Sequence, residues 1–446
     1  MPHQGRGRSA GRPAVFAALE WLVKPSAFGR LSFRRECRWT PASLVQATLL
    51  WAWSEEASLV DRFVTAQEVI AQTTGEQREF VSYQAFMKLL RRHAAVLLAA
   101  VVAALQRAMR QSLADCERVA GYLAFAVDGT RIDVPRTAAN EQAFAARRRR
   151  LRQRGRRRRA SQKKAAVPQA ALTTLWHLGS GLPWCWRHGP RRDGERSQML
   201  DMLPALPEQS LLLADAGFVG YDFWQALLAA GHDFVIRVGA NVKLLKQLGY
   251  CRERDGRVYL WPDQHATRRQ PPLALRLVVV HGGKHPVYLV ASVLAQSRLS
   301  DRRLVELYRA RWGVEVFYRG FKRTFGRHKL RSASPAHARM ELDWSLVALW
   351  AACLYAKHQQ ASAGEDVGRT SVAGVLRILR RAVRSSTVNV AQLLAAALID
   401  PYARKNKTSR DYPRKKTDAP GTSPPKIRKA TKQQVRIAQE IKGLTA

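Results

Sequence analysis

Four polar side chains recur at the spacing of one helix face in the segment after Ser300. Tyr308, Arg311, Glu315 and Lys322 follow one another at intervals of three, four and seven residues. Because an α-helix turns about 100° per residue, these intervals return to nearly the same angle, within a stripe roughly 60° wide. Geometry alone also fits a surface ion-pair ladder, since Arg311 and Glu315 form an i,i+4 pair. The face therefore offers a carboxylate and three phosphate-binding groups, or a ladder of ion pairs.

Two aspartates end candidate strands earlier in the chain. Asp128 lies in the string FAVDGT, and Asp215 lies in LLLADAGF. Each follows a short apolar run of the kind that forms a buried strand. Aspartates at the ends of adjacent strands, facing Glu315 on a packed helix, would supply the hard oxygen ligands that Mg²⁺ prefers. Such a site suits phosphodiester chemistry, in which two metal ions neutralise the attacking and leaving oxygens.

The stretch LYRARWGVEVFYRGFK matches the signature Y-x2-R-x3-E-x6-K at every position. This signature resembles that of DDE transposases of the insertion-sequence-four type, which have an RNase H-like catalytic core. The resemblance covers roughly residues 120–330, including the order strand–Asp, strand–Asp, helix–Glu. It implies that Asp128, Asp215 and Glu315 are the catalytic residues and hold Mg²⁺ or Mn²⁺, with two ions expected.

The same resemblance implies an activity and a set of partners. The expected function is metal-dependent end cleavage and strand transfer of an insertion sequence, of the cut-and-paste kind. Double-stranded DNA, as transposon ends and as target, is the expected partner, and a homodimer on paired ends is the expected assembly. The resemblance also implies that three side chains contact DNA phosphates near the cleaved bond: Tyr308, Arg311 and Lys322.

Two alternative functions stay open on the sequence. A domesticated, transposase-derived DNA-binding protein is disfavoured because the carboxylates and the residues around Glu315 are intact. The sequence does not distinguish a transposase from an RNase H-like nuclease without strand transfer, because cleavage and strand transfer use the same metals. A phosphatase of the haloacid dehalogenase type also carries DGT after a strand, but it needs an aspartate two residues before Asp128, where the chain has Ala126.

The composition indicates a polyanionic partner. Lysine and arginine total 75 against 34 acidic residues, a formal net charge of +41, and such an excess favours nucleic acid. The five cysteines are scattered without a CxxC pair, which disfavours a zinc site and fits a reducing compartment. The longest apolar runs, Ala94–Leu105 and Leu346–Ala356, are shorter than the roughly 20 residues of a membrane span. We expect a cytoplasmic, nucleoid-associated protein with no membrane partner.

One segment carries ten arginines in thirteen residues, from Arg147 to Arg159. Such a block repels itself and does not pack in a core. It is either a solvated loop or a phosphate-binding loop, and its position about twenty residues after Asp128 favours the second. The arginines predicted to bind DNA are Arg147, Arg148, Arg149, Arg150, Arg156, Arg157, Arg158 and Arg159.

These elements predict an α/β fold: an RNase H-like core with a β-rich insertion, flanked by helical N- and C-terminal regions. Helix starts are predicted after Thr40, Ser82 and Ser300, and a hairpin turn at Gly179–Gly181. The predicted divisions are a helical N-terminal DNA-binding region (1–118), the first part of the core (119–216), the β-rich insertion (217–299), the second part of the core with the glutamate helix (300–360), a helical C-terminal region (361–402) and a basic disordered tail (403–446).

Several other residues near these motifs are predicted to be structural. Glu195 and Asp193 fall in a polar loop and are weak candidates for metal ligands. Trp184 and Trp261 fit core positions better than base-stacking positions. The residues predicted to pack the glutamate helix against the fold are Trp312, Val316, Phe317 and Phe321.

Overall fold

A mixed sheet of ten strands runs through the protein. The computed structural model describes residues 13–29, 31–74, 81–144, 167–281, 285–399 and 423–445, so the arginine block lies outside the described residues. The strands are β1 (Ala124–Asp133), β2 (Gln169–His177), β3 (Leu182–Pro190), β4 (Leu211–Ala214), β5 (Asp233–Val238), β6 (Lys243–Lys246), β7 (Arg257–Leu260), β8 (Leu273–Val280), β9 (Val287–Ala291) and β10 (Lys426–Lys429). Their order across the sheet is β10-β6-β7-β8-β9-β5-β4-β1-β2-β3.

Helices cover the faces and the ends of this sheet. They are α1 (Phe16–Leu22), α2 (Pro41–Trp53), α3 (Leu59–Thr74), α4 (Tyr83–Ser112), α5 (Ala138–Phe144), α6 (Glu195–Met202), α7 (Tyr221–Ala229), α8 (Asp263–Thr267), α9 (Asp301–Ala310), α10 (Gly313–Arg319), α11 (Pro335–Ser362), α12 (Val372–Val383), α13 (Val390–Ala395) and α14 (Lys432–Thr445). The predicted α/β class with helical N- and C-terminal regions is confirmed.

Five strands form the half of the sheet that carries Asp128 and Asp215. β1, β2 and β3 are antiparallel neighbours, while β4 pairs parallel with β1 and β5 pairs parallel with β4. This arrangement of a three-stranded meander followed by two parallel strands is the one expected of an RNase H-like core. The predicted turn between β2 and β3 is present, and Gly181 in it has a φ of 61°, a conformation that favours glycine.

The remaining strands extend the same sheet instead of forming a separate layer. β9 pairs antiparallel with β5, and β8, β7 and β6 follow in turn. β5 falls inside the range predicted for the insertion, 217–299, yet it pairs directly with β4. We therefore propose that the insertion begins after Val238 and not at residue 217.

The C-terminal segment differs from its prediction as a disordered tail. Within 423–445, β10 pairs parallel with β6 and α14 follows it, while 403–422 lies outside the described residues. Ala438 and Ile441, three residues apart on α14, are buried. The basic composition predicted disorder, but charged side chains are common on edge strands. The few buried apolar side chains of α14 are enough to pack this helix against the fold, although the rest of its surface is basic.

The N-terminal helices pack on the long helix α11. Thr40 caps α2 by accepting from the backbone N–H of Ser43 at 3.1 Å, and Ser82 caps α4 through Ala85. The indole N–H of Trp53 at the end of α2 donates to the carbonyl of Ala348 on α11 at 2.8 Å. The predicted helix starts are thus confirmed.

Helix α4 is longer than its apolar run suggested. It is the single helix in the described part of the chain that is long and apolar enough to cross a membrane by length and composition. Seven of its side chains are buried against other elements, among them Phe86, Leu97 and Leu105. Because core helices pass the same test, this is weak evidence for a membrane span.

Candidate active site

Asp128 and Asp215 lie on neighbouring parallel strands. Ala126 of β1 is the partner of Leu213 of β4, and continuing this register by two positions puts Asp128, in the middle of β1, level with Asp215, just past the end of β4. Neighbouring strands are about 4.8 Å apart, so the two backbones bring both aspartates close together beyond the end of β4. The Asp215 Oδ1 accepts from the backbone N–H of Gly217 at 2.8 Å, which orients its side chain just beyond the end of β4.

Glu315 is placed by a helix that is interrupted, not continuous. α9 is capped by Ser300 as predicted and ends at Ala310, α10 starts at Gly313, and a π-helical turn spans Gly320–Thr324. A Cβ on Gly313 would lie 3.1 Å from the indole nitrogen of Trp176 on β2, so the glycine permits close packing of α10 on the sheet. The four residues of the signature therefore lie on consecutive helical pieces and not on one straight stripe.

Two hydrogen bonds attach α10 and the π-helical turn to β1 at Asp128 and two residues beyond it. The Tyr318 hydroxyl, on a buried side chain, donates to the backbone carbonyl of Asp128 at 2.7 Å. The Lys322 Nζ donates to the Thr130 Oγ1 at 2.6 Å. Glu315 lies one turn before Tyr318, so these bonds fix the glutamate relative to the first aspartate.

The electrostatics place the three carboxylates in one environment. The pKa of Asp128 is raised to about 7, chiefly by burial, and the charges of Asp215 and Glu315 contribute to the rise. The backbone N–H of Gly129 and the Arg311 guanidinium oppose that rise. Arg311 is itself buried and donates to the Glu315 Oε1 at 2.9 Å. A buried carboxylate next to two others calls for a cation beyond the one that Arg311 supplies.

The donor set fits divalent metal ions, although the side chains do not form a ready-made cluster. Among the described residues, no three His, Cys, Asp or Glu side chains are arranged to hold a metal ion. Glu315 is engaged by Arg311, so it would have to exchange that partner to become a ligand. Three hard carboxylates with an unfavourable mutual charge are the ligands that Mg²⁺ or Mn²⁺ takes. Asp128, Asp215 and Glu315 thus remain the predicted metal ligands.

The raised pKa of Asp128 predicts a pH-dependent cost to stability in metal-free protein. Because the pKa of about 7 in the fold exceeds the ordinary value of 3.8, the ionised form is penalised only in the folded state. That penalty is absent below pH 4 and complete above pH 7. In EDTA, Asp128→Asn should therefore raise the melting temperature by a few °C at pH 8 and leave it unchanged at pH 4.

The control for this prediction is Asp133→Asn, on the same strand. Asp133 accepts from the Gln169 side chain at 2.8 Å, and asparagine keeps that acceptor. Thermal unfolding at pH 4 and pH 8 should distinguish the two variants, and Mg²⁺ at pH 8 should stabilise the wild type more than Asp128→Asn. Equal melting temperatures of wild type and Asp128→Asn at pH 8 would contradict the burial of an ionised Asp128.

Glu195 is a fourth carboxylate that sequence reasoning set aside. It begins α6, and a Cβ built on Gly129 would come within 2.1 Å of its Oε1. Burial raises its pKa, and the charge of Asp215 raises it further. No spacing in the sequence links Glu195 to Asp128, because α6 arrives from beyond β3. The glycine after Asp128 is the one local signal, since it leaves the space that this carboxylate fills.

Some of the apolar and aromatic residues near the site are exposed where the sequence predicted them to be packed against the fold. Phe317 and Phe321 are buried as predicted, whereas Trp312 is 52% exposed and Val316 is 49% exposed. The prediction that these two pack the helix on the fold was wrong, because the interruption at residues 311–312 turns them outward. Trp184 and Trp261 are buried, as predicted for core residues. The Arg311 guanidinium lies 5.5 Å from the centre of the Tyr308 ring.

The chain belongs to a family of transposases. A family model described as a transposase DDE domain matches residues 120–351, just over half of the chain. The sequence is 25% identical over 238 residues to transposase InsG for insertion sequence element IS4 of Escherichia coli (strain K12). That alignment covers 51% of this chain and 50% of the relative, so the chain spans about half the length of this curated protein.

A solved structure with a related outline is a cryo-electron microscopy structure of the piggyBac transposase synaptic complex with hairpin DNA. The likeness covers 90% of this chain and 88% of that chain, with a TM-score of 0.42 and 11% sequence identity. A likeness this low does not by itself define the fold or the activity.

Proposed function

We propose that the protein is a DNA transposase that cleaves phosphodiester bonds at the ends of an insertion sequence and joins the freed strand to target DNA. One observation carries the proposal. The register of β1 and β4, continued by two positions, puts Asp128 level with Asp215, and the helical segment that bears Glu315 is hydrogen-bonded to Asp128 and Thr130 of β1. Membership of the transposase DDE family supports it.

The three carboxylates would hold Mg²⁺ or Mn²⁺, with two ions expected. Bound divalent ions would neutralise charge on the attacking and leaving oxygens of the phosphodiester. Without a metal ion, the Glu315 carboxylate forms an ion pair with the Arg311 guanidinium. If Glu315 turned to a metal ion, the Arg311 guanidinium would be released to pair with a phosphate oxygen.

The DNA would approach across the surface that carries Tyr308 and Arg311. A cavity of about 400 Å³ is lined by both residues together with Arg237, Arg309 and the exposed Trp312. Valine, leucine and histidine side chains complete the lining. The arginines and aromatic rings of this lining suit a DNA strand, because phosphates pair with arginine and bases stack on aromatic rings. Lys322 would supply a further positive charge beside Asp128, and Thr130 holds it there.

The expected partners are transposon ends and target DNA, bound by a homodimer on paired ends. The arginine block would add phosphate contacts beside the core. Its described flanks, Phe144 and Gln169, end α5 and begin β2, and Gln169 lies opposite Asp133 at the end of β1. We propose action on DNA in the cytoplasm, associated with the nucleoid.

An end-cleavage assay tests this proposal against its two alternatives. The substrate is a plasmid carrying the inverted repeats that bound the coding region, incubated with purified protein and Mg²⁺ or EDTA. A transposase should release the element only with metal and join it to a second plasmid. Cleavage without joined product would indicate a nuclease, and end binding without cleavage would indicate a domesticated DNA-binding protein.

A further inference from the structure

The two strands at the far end of the sheet from β3, β6 and β10, run in the same direction as β1 and β4. β9 is antiparallel to β5, β8 is antiparallel to β9, and β7 and β6 alternate again. β6 therefore runs parallel to β4, and β10 pairs parallel with β6. Lys246 and Lys429, the last residues of β6 and β10, thus lie toward the edge of the sheet at which Asp128 and Asp215 lie.

Basic side chains follow this edge from the candidate active site outward. Arg237 is near the end of β5, His281 follows β8, His285 precedes β9, and Arg257 begins β7. Tracing paired residues across the sheet places Lys246 about three residues before the level of Asp215 along the strand direction, an offset of roughly 10 Å. A DNA duplex is about twice as wide as this offset, so one duplex can contact both levels. The row in order is Arg237, His285, His281, Arg257, Lys246 and Lys429.

The end of this row is built from like charges placed side by side. Lys246 is the direct partner of Lys429, and both side chains are exposed. Like charges directly opposite each other destabilise a pair of strands. The chain nevertheless adds β10 here, with Lys432 following in the first turn of α14. A polyanion lying across the pair would turn this repulsion into attraction.

The opposite ends of the same two strands differ in surroundings. Lys243 pairs with Lys426, and near them Arg428 contacts Asp263, whose side chain is 84% exposed. At the active-site edge the Glu253 Oε1 accepts from the Tyr259 hydroxyl at 2.9 Å and from the Gly249 N–H at 3.1 Å. Lys246 and Lys429 are both exposed there, so their charge is open to a polyanion.

The span of the sheet relates this lysine pair to the geometry of DNA. Seven strand steps separate β1 from β10, which at about 4.8 Å each is roughly 34 Å in a flat sheet and less in a twisted one. One turn of duplex is about 34–36 Å, or 10–10.5 base pairs. If a duplex lies across the strands with its cleaved bond at Asp128, its phosphate backbone returns to the same side one helical turn later, near Lys246 and Lys429.

We propose that the pair of Lys246 and Lys429 binds the phosphate backbone of the duplex being cut, about one helical turn from the cleaved bond. The C-terminal strand thus completes a DNA track that the core and insertion begin. The contact is to phosphates and independent of sequence, since lysine offers charge without a fork for base edges. This inference rests on the proposed function in taking DNA as the polyanion.

The experiment compares Lys246→Ser/Lys429→Ser with its matched control, Lys243→Ser/Lys426→Ser. Both remove one exposed pair from the same two strands, and circular dichroism checks that both fold. Binding of an end-containing duplex is measured from 50 to 300 mM NaCl in EDTA. Because each phosphate contact contributes about 0.9 to the slope of log affinity against log salt, the first variant should lose about 1–2 units. The control should lose less than about 0.5.

Phosphate ethylation interference on the same duplex gives the position of the contact. Wild type should show interference about ten base pairs from the cleavage site, and Lys246→Ser/Lys429→Ser should lose it, while Lys246→Arg/Lys429→Arg should keep it. Duplexes shortened on the element side or on the flanking side show which arm carries the contact. Equal slope losses in the two serine variants, or unchanged interference, would overturn the inference.

These readouts separate this inference from the proposed function. If the wild type binds ends but does not cleave them with Mg²⁺, the proposed reaction fails while the slope and interference remain measurable. If the wild type cleaves, and the Lys246→Ser/Lys429→Ser variant binds with the wild-type slope, only the lysine contact fails.

Discussion

Asp128→Asn, Asp215→Asn and Glu315→Gln are each expected to reduce end cleavage by about 1000-fold or more while leaving DNA binding within about threefold of wild type. Each change removes a charged oxygen ligand and preserves the size of the side chain. Metal ions contribute several kcal/mol to such reactions, and each 1.36 kcal/mol is tenfold in rate. The basic surface that binds DNA is untouched, so affinity should persist.

Cleavage of a labelled end duplex with Mg²⁺, alongside binding in EDTA, measures both expectations. Asp133→Asn is the matched control, because Asp133 lies on β1 beyond Asp128 and accepts from Gln169. It should cleave at close to the wild-type rate. Near wild-type cleavage by Glu315→Gln would remove Glu315 from the catalytic set and leave the Arg311–Glu315 contact as an ordinary i,i+4 ion pair.

Replacing four to six arginines between Arg147 and Arg159 by serine is expected to weaken binding to every duplex to a similar degree. Each arginine that neutralises a phosphate contributes about 0.9 to the salt slope, so the slope should flatten by about 4–5 units if each replaced arginine makes one contact. The segment offers charge, and Gln153 is its single amide side chain. We therefore expect its arginines to contact mainly phosphates, which carry no sequence information.

The measurement is the affinity for end DNA and for unrelated DNA across a salt series. The ratio of the two affinities should stay unchanged in the serine variant. A variant with lysine at the same positions keeps the charge and should keep most of the slope. An unchanged slope in the serine variant would mean that the segment faces solvent, and a loss of the ratio alone would mean that it contacts bases.

Local signals predicted the parts of the site that depend on local structure. Asp215 follows the end of β4 as predicted, whereas the prediction that Asp128 ends its strand was wrong, because β1 continues to Asp133 in its pairing with β2. The Ser300 side chain caps α9 as predicted by accepting from the Arg303 N–H. The interruption at Arg311 was not predictable in this way, because it depends on packing of Gly313 against Trp176, a residue more than a hundred positions earlier.

Non-local contacts account for the other differences. Glu195 reaches the site only because α6 packs across β1 and β2, and its neighbour Gly129 is distant in sequence. The C-terminal residues were predicted to be disordered from their composition, since the apolar contacts of Ala438 and Ile441 are few. Pairing of β10 with β6 joins segments that no short window contains.

The pairing of β10 with β6 also affects how the chain folds during synthesis. Residue 426 leaves the ribosome more than 180 residues after its partner, residue 243, so β6 is an open edge while those residues are being made. Open edges recruit strands from other chains, and partly made proteins are vulnerable to such association. Lys243 and Lys246 are exposed on this edge, and like charges placed opposite each other disfavour pairing with an identical strand. The same lysines should keep a prematurely terminated chain from aggregating through β6.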